Sequence, residues 1–107
     1  MRPEDLVQKH IVDMMRTIGF SVWETPKGRA GGTRTTPGIP DLIISGHGYH
    51  FHVEVKAGKG KESAPQIDFR ETCNANGGLS LVWYEDGEAW EWCIAEGIIE
   101  ETPNEAA

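Results

Sequence analysis

The chain has 107 residues, 38% of them hydrophobic and 25% charged, with a formal net charge of −7. That length supports one hydrophobic core and not two, and four tryptophans in a chain this size exclude a disordered polymer. No apolar run approaches the roughly 18 residues that cross a bilayer and no apolar signal region follows the polar start, so a cytoplasmic protein is expected.

Between Pro3 and Ile18 the apolar residues Leu6, Val7, Ile11, Met14, Met15 and Ile18 recur at helical spacing. Glu4 and Asp5 fall in the first turn of that helix, where its dipole favours acids, and Gly19 stops it. Phe20 to Thr25 reads as a short strand. Lys27 to Gly38 is a glycine-rich loop carrying Lys27, Arg29 and Arg34. Asp41 to Ser45 is a strand entered through Pro40, whose missing N–H does no harm there. Gly46-His47-Gly48 makes a hairpin turn, and Tyr49 to Lys56 returns. On the return strand Tyr49, Phe51, Val53 and Val55 face one way and His50, His52, Glu54 and Lys56 the other, so one face is core and the other is open.

Ala57 to Glu62 is a loop with Lys59 and Lys61. Ser63 and Gln66 have the spacing of a capping box, which predicts a helix from about 64 to 76, ended by Gly77-Gly78. Leu79 to Tyr84 reads as a strand, Glu85-Asp86-Gly87 as a turn, and Ala89 to Ile94 as a last strand on which Trp90 and Trp92 point the same way. The expected architecture is α/β, a mixed sheet flanked by helices in the order α-β-β-β-α-β-β. Residues 1–97 form one domain and residues 98–107 an acidic tail. Cys73 and Cys93 lack the close pairing of a redox or zinc motif and read as buried, reduced thiols.

In an antiparallel hairpin Asp41 and Glu54 come within a few ångströms of each other. Two carboxylates that close repel unless a cation lies between them, and a hard divalent ion with oxygen ligands suits the pair. The main-chain carbonyl of Val55 offers a further oxygen. Lys56 shares the face of Glu54 and can orient an attacking water or offset charge growing on phosphorus. These are the parts that metal-assisted phosphodiester hydrolysis needs.

Charge is also unevenly placed. Residues 1–70 hold all ten Lys and Arg against eight Asp and Glu, while residues 71–107 hold nine acids and no Lys or Arg. One end can approach a phosphate backbone and the other would repel it. The basic residues Lys27, Arg29, Arg34, Lys59 and Lys61 flank the hairpin in sequence and are the candidate DNA contacts.

The set Gly38-Ile39-Pro40-Asp41, Glu54-Val55-Lys56 and Gln66 resembles the PD-(D/E)XK nuclease superfamily, and within it the compact stand-alone VRR-NUC (virus-type replication-repair nuclease) domains of phages. The resemblance covers roughly residues 4 to 83. It implies a restriction-endonuclease-like core and a Mg²⁺- or Mn²⁺-dependent DNA endonuclease of repair or recombination, similar to Holliday-junction resolvases and acting as a homodimer on branched DNA in a bacterial or phage-infected cell. Residue by residue it makes Asp41 and Glu54 metal ligands with the Val55 carbonyl assisting, Lys56 the catalytic lysine, Gln66 a supporting glutamine, and Glu4 a further metal-binding acid.

Two other readings remain open at this level. A module with the same fold can bind nucleic acid without cutting it, although intact Asp41, Glu54 and Lys56 argue for cutting. His50, His52 and Glu54 also suggest a small cupin-like metal enzyme, which would be built almost wholly of strands.

Overall fold

A computed structural model describes residues 3–26 and 36–101. Helix α1 (Pro3–Ile18) leads into β1 (Ser21–Glu24), β2 (Leu42–Gly46) and β3 (Tyr49–Val55), followed by α2 (Ala64–Ala75), β4 (Ser80–Trp83) and α3 (Asp86–Ala95). The four strands form one mixed sheet in the order β1-β2-β3-β4; the first two pairings are antiparallel and β3 pairs β4 in parallel.

The hairpin turn is set by backbone conformation. His47 and Gly48 both have positive φ, at 52° and 86°, as a two-residue turn matched to strand twist requires. His47 tolerates this because its ring is held elsewhere: Nε2 lies 3.0 Å from the Ile18 carbonyl oxygen, and the ring packs on Phe20 with centroids 4.7 Å apart. The turn is thereby tied to the end of α1.

Helices α1 and α3 pack against each other and against one face of the sheet. Ile11, Val12 and Met15 of α1 meet Leu42, Ile44, Phe51, Val53 and Val55 of the sheet and Ala89 and Cys93 of α3 in a single core. Phe51 is fully buried, its ring 4.6 Å from that of Trp92 and edge-on to Trp83. Removing a ring of this size from water contributes about 2 kcal/mol. Helix α2 lies over the opposite face, where Phe69 meets His52, and it has no fully buried residue. The open face of the return strand is therefore covered by a lightly packed helix.

The segment 89–94, expected as a strand, belongs instead to the helix α3, so the order is α-β-β-β-α-β-α. "AWEWCI" alternates like a strand, and Asp86-Gly87 imitates a hairpin turn. The physics that wins is helical: Asp86 and Glu88 sit in the first turn, and Ala89 and Cys93, four residues apart, are the side chains the helix buries. Two residues apart on a helix, Trp90 and Trp92 do not point the same way. Trp92 packs on Phe51, Tyr49 and Trp83, whereas Trp90 stays 38% exposed.

Beyond α3, Ile98 and Ile99 pack against the core. Both cysteines are free; Cys93 is buried, which pushes its thiol up to about 11, but Cys73 is only partly covered. Each edge strand has one residue whose outward backbone is bonded by a side chain. The Asn74 amide accepts from the Ser80 N–H at 2.8 Å and donates to its carbonyl at 3.1 Å, and Arg16 donates to the Val22 carbonyl at 2.8 Å. No helix among the described residues is long and apolar enough to cross a membrane.

Candidate active site

The hairpin assembles the site by register. Leu42 faces Val53 across the β2–β3 ladder, so Asp41, the next residue out, lies beside Glu54. Both carboxyl groups are taken from water, with residue exposures of 6% and 5%. Asp41 Oδ2 accepts the main-chain N–H of Val55 at 2.9 Å. Glu54 Oε2 accepts the amide of Gln66 at 2.8 Å and lies 3.5 Å from the Lys56 ammonium. Its second oxygen, Oε1, is buried and receives no donor.

That orphan oxygen marks the electrostatic tension of the site. Burial, then the neighbouring Asp41 charge, push the Glu54 carboxyl up to about 7, and Lys56 only partly offsets them. An acid pair held this way favours a bound proton or a bound cation. The donors are all hard oxygens, which suits Mg²⁺ or Mn²⁺, and Mg²⁺ commonly uses one or two carboxylates and keeps several waters. No group of three or more His, Cys, Asp and Glu side chains converges on one point among the described residues. The Asp41–Glu54 pair is thus the candidate cation site, with Glu4 on the same cleft wall.

Gln66 has two functions. Its Oε1 accepts the Ser63 N–H at 2.8 Å, and Ser63 Oγ accepts the Gln66 N–H at 3.3 Å, completing the predicted capping box. The same amide then donates to Glu54, so the start of α2 is fastened to the acid pair.

A cleft of about 300 Å³ opens over these groups, lined by Glu4, Asp41, Glu54, Lys56 and Gln66 on one side and by Thr25 and residues 36–39 on the other. Thr25 escaped the sequence reading. Its N–H donates to the Asp41 carbonyl at 2.8 Å and its hydroxyl to the Pro40 carbonyl at 2.7 Å, so it fixes the backbone that presents Asp41. The only sequence signal for it was its place at the end of β1, level with Asp41. Gly38 adopts φ +92°, and a Cβ there would run into the Pro65 carbonyl of α2. Gly38→Ala is expected to cost about 1–3 kcal/mol, read from urea unfolding, and to push residues 36–39 off α2. An unchanged midpoint would show that this strap is free to move.

The structure thus brings together Asp41, Glu54, Lys56, Gln66 and Glu4. Lys59 and Lys61 are exposed on the loop between β3 and α2, both of which end at the cleft. Lys27, Arg29 and Arg34 lie outside the described residues. His50 and His52 occupy the open face of β3, their rings 6.1 Å apart, with His52 against Phe69. A four-stranded mixed sheet with three helices is not the all-strand architecture that the cupin-like reading requires.

No protein-family model and no curated protein matches the chain. Among solved structures, a VRR_NUC domain matches with a TM-score of 0.69 at 23% identity, covering 90% of this chain and 97% of that one. Hjc, a Holliday junction resolvase from Archaeoglobus fulgidus, matches with a TM-score of 0.55 at 17% identity, covering 76% of this chain and 67% of that one. The chain shares with them a restriction-endonuclease-like fold.

Proposed function

We propose that the protein is a divalent-metal-dependent DNA endonuclease, acting as a homodimer and selecting branched DNA such as a four-way junction. The observation that carries this reading is the buried Asp41–Glu54 pair, with Glu54 Oε1 undonated and Lys56 and Gln66 holding its other oxygen. The fold shared with a VRR_NUC domain and a Holliday junction resolvase supports the substrate class.

Asp41 and Glu54 would hold the cation, with Glu4 and the Val55 carbonyl as further oxygen donors. When bound, a Mg²⁺ or Mn²⁺ ion supplies Lewis-acid polarisation of the scissile phosphate and balances the acid pair. The chain's own groups perform the rest. The Val55 N–H and the Gln66 amide each fix one carboxylate oxygen, so the pair is aimed before substrate arrives. The Lys56 ammonium orients the incoming water and faces the negative charge that develops as the new P–O bond forms and the ester P–O bond breaks. Exposed Lys59 and Lys61 take the backbone phosphates beside the cleft. The exposed outer residues of α2 and the 54% exposed Trp23 leave surface on this side of the sheet for a second copy; a purely monomeric sedimentation profile at micromolar concentration would remove the dimer from the reading.

The test is cleavage of a labelled four-way junction and of a linear duplex of matched sequence, with Mg²⁺, with Mn²⁺ and with EDTA. Cutting of the junction that EDTA abolishes is the expected result. A protein that binds the junction but cuts neither DNA with either metal would be a binding module on this fold.

A pH dependence follows from Glu54. Because its carboxyl titrates near 7 without metal, protons compete with the cation below that pH. Apparent Mn²⁺ affinity, measured by calorimetry at fixed ionic strength, is expected to fall by up to about ten-fold per unit below pH 7, with protons released on binding. An affinity constant between pH 5.5 and 8 would contradict this.

A further inference from the structure

The loop between β3 and α2 carries Lys59 and Lys61, and flexible lysine loops are costly DNA contacts because the backbone must be ordered on binding. This loop is already ordered, at three points. Gly60 N–H donates to the Ala57 carbonyl at 2.9 Å, which closes a tight turn that contains Lys59 and ends just before Lys61. The hydroxyl of Tyr84, the residue after β4, donates to the Gly60 carbonyl at 2.9 Å. At the far end, Arg70 of α2 grips Glu62 with two nitrogens: Nε at 2.9 Å from Oε2 and Nη2 at 2.7 Å from Oε1.

Charge settles what Arg70 does. It is the last basic residue of the chain and lies close to the lysine loop, so it reads at first as another phosphate contact. Its guanidinium fork is, however, already spent on the Glu62 carboxylate, and such a two-point pair is directional as well as strong. The Tyr84 hydroxyl likewise has a structural partner that is main chain, not solvent. Tyr84 itself is placed by β4: the Lys56 N–H donates to the carbonyl of Trp83, the last residue of that strand, at 3.0 Å, so the catalytic lysine is anchored to the residue just before the clamp.

We propose that Tyr84 and Arg70 are positioning residues for substrate, which hold the Lys59–Lys61 loop in its DNA-contacting shape beside the cleft. This rests on the nuclease reading and deepens it: affinity for the phosphate backbone depends on two side chains that do not touch the DNA. It also separates two classes of basic residue near the site, the lysines that meet phosphate and the arginine that holds the lysines.

The experiment is anisotropy titration of a labelled four-way DNA junction in EDTA, over a range of salt, with the wild-type protein, Tyr84→Phe, Lys59→Ala/Lys61→Ala and the combined triple variant. Hydrogen exchange of residues 57–62 is followed in parallel. Tyr84→Phe removes one hydroxyl and no charge. It is expected to weaken binding about three- to ten-fold and to speed exchange in the loop, and Arg70→Lys is expected to weaken it less than Arg70→Ala. The double lysine variant is expected to lower the salt slope by about two, and in that background Tyr84→Phe should change affinity no further. The proposal is overturned if Tyr84→Phe binds as the wild type does, or if its loss is the same without the lysines. Unchanged binding by Tyr84→Phe beside a wild type that cuts the junction would sink the clamp alone, whereas a wild type that does not bind the junction would sink the nuclease reading with it.

Discussion

Asp41→Asn is expected to abolish cleavage, by on the order of 10³-fold or more, while making the metal-free protein more stable at pH 8. The first effect is the loss of one of two carboxylates for the cation. The second follows from the pair's geometry. Glu54 is buried and its carboxyl is raised to about 7, with the Asp41 charge the second cause after burial. A group whose folded value lies above its ordinary 4.5 costs stability as pH rises through that interval, and the cost is complete above about 7. Asparagine keeps an oxygen for the Val55 N–H but removes the charge beside Glu54. The expected gain is on the order of 1 kcal/mol at pH 8, about 4 °C in Tm, and it should shrink towards pH 5, where Glu54 is protonated in the folded chain. Thermal unfolding at the two pH values in EDTA checks it. A variant that is inactive but less stable at pH 8 would mean that the acid pair is not under repulsion.

Lys56→Met should remove cleavage to a comparable extent and move stability the other way. Its ammonium lies 3.5 Å from Glu54 Oε2 with a side-chain exposure of 12%, and it opposes the rise in the Glu54 carboxyl. Taking it away leaves a buried carboxylate beside Asp41 with only the Gln66 amide as donor. Loss of one partner of such a pair is expected to cost about 1–3 kcal/mol at pH 8, with recovery as the pH falls and Glu54 takes up a proton. Metal affinity should be nearly retained, because Lys56 is not a ligand. Two inactive variants with opposite shifts in Tm would separate the charge roles of Asp41 and Lys56 more sharply than activity alone. Equal shifts of the same sign would show that packing, not charge, dominates both positions.

Much of this arrangement was readable from residues because the hairpin is local. A clean alternation in Tyr49–Lys56, a glycine-bounded turn and Pro40 before Asp41 define strand, register and face together, so the acid pair followed from sequence. Ser63 and Gln66 announced the start of α2 for the same reason: a capping box is a short-range device. What stayed hidden depends on distant partners. The strand-like look of Trp90-Glu91-Trp92-Cys93 gave way to a helix because Ala89 and Cys93 are buried together in the core with α1, which alternation within six residues does not reveal. The role of Thr25 comes from its hydrogen bonds to the Pro40 and Asp41 backbone across the β1–β2 ladder, and that of Tyr84 from its bond to Gly60. The polar Gln66 amide, read as a cap and as a supporting group on separate grounds, turns out to do both with its two ends.

The side chains on the sheet's two edges restrict how this protein can associate. A β-strand at an open edge is a template for another chain, and natural proteins blunt it to avoid runaway polymerisation. Here the Asn74 amide imitates a neighbouring strand at Ser80, giving and receiving one hydrogen bond each, and the Arg16 guanidinium occupies the Val22 carbonyl on the far edge. A strand added across Ser80 or Val22 would displace these groups. Contact between copies through a sheet face or through helices would leave these bonds intact, whereas strand addition at Ser80 or Val22 would have to break them.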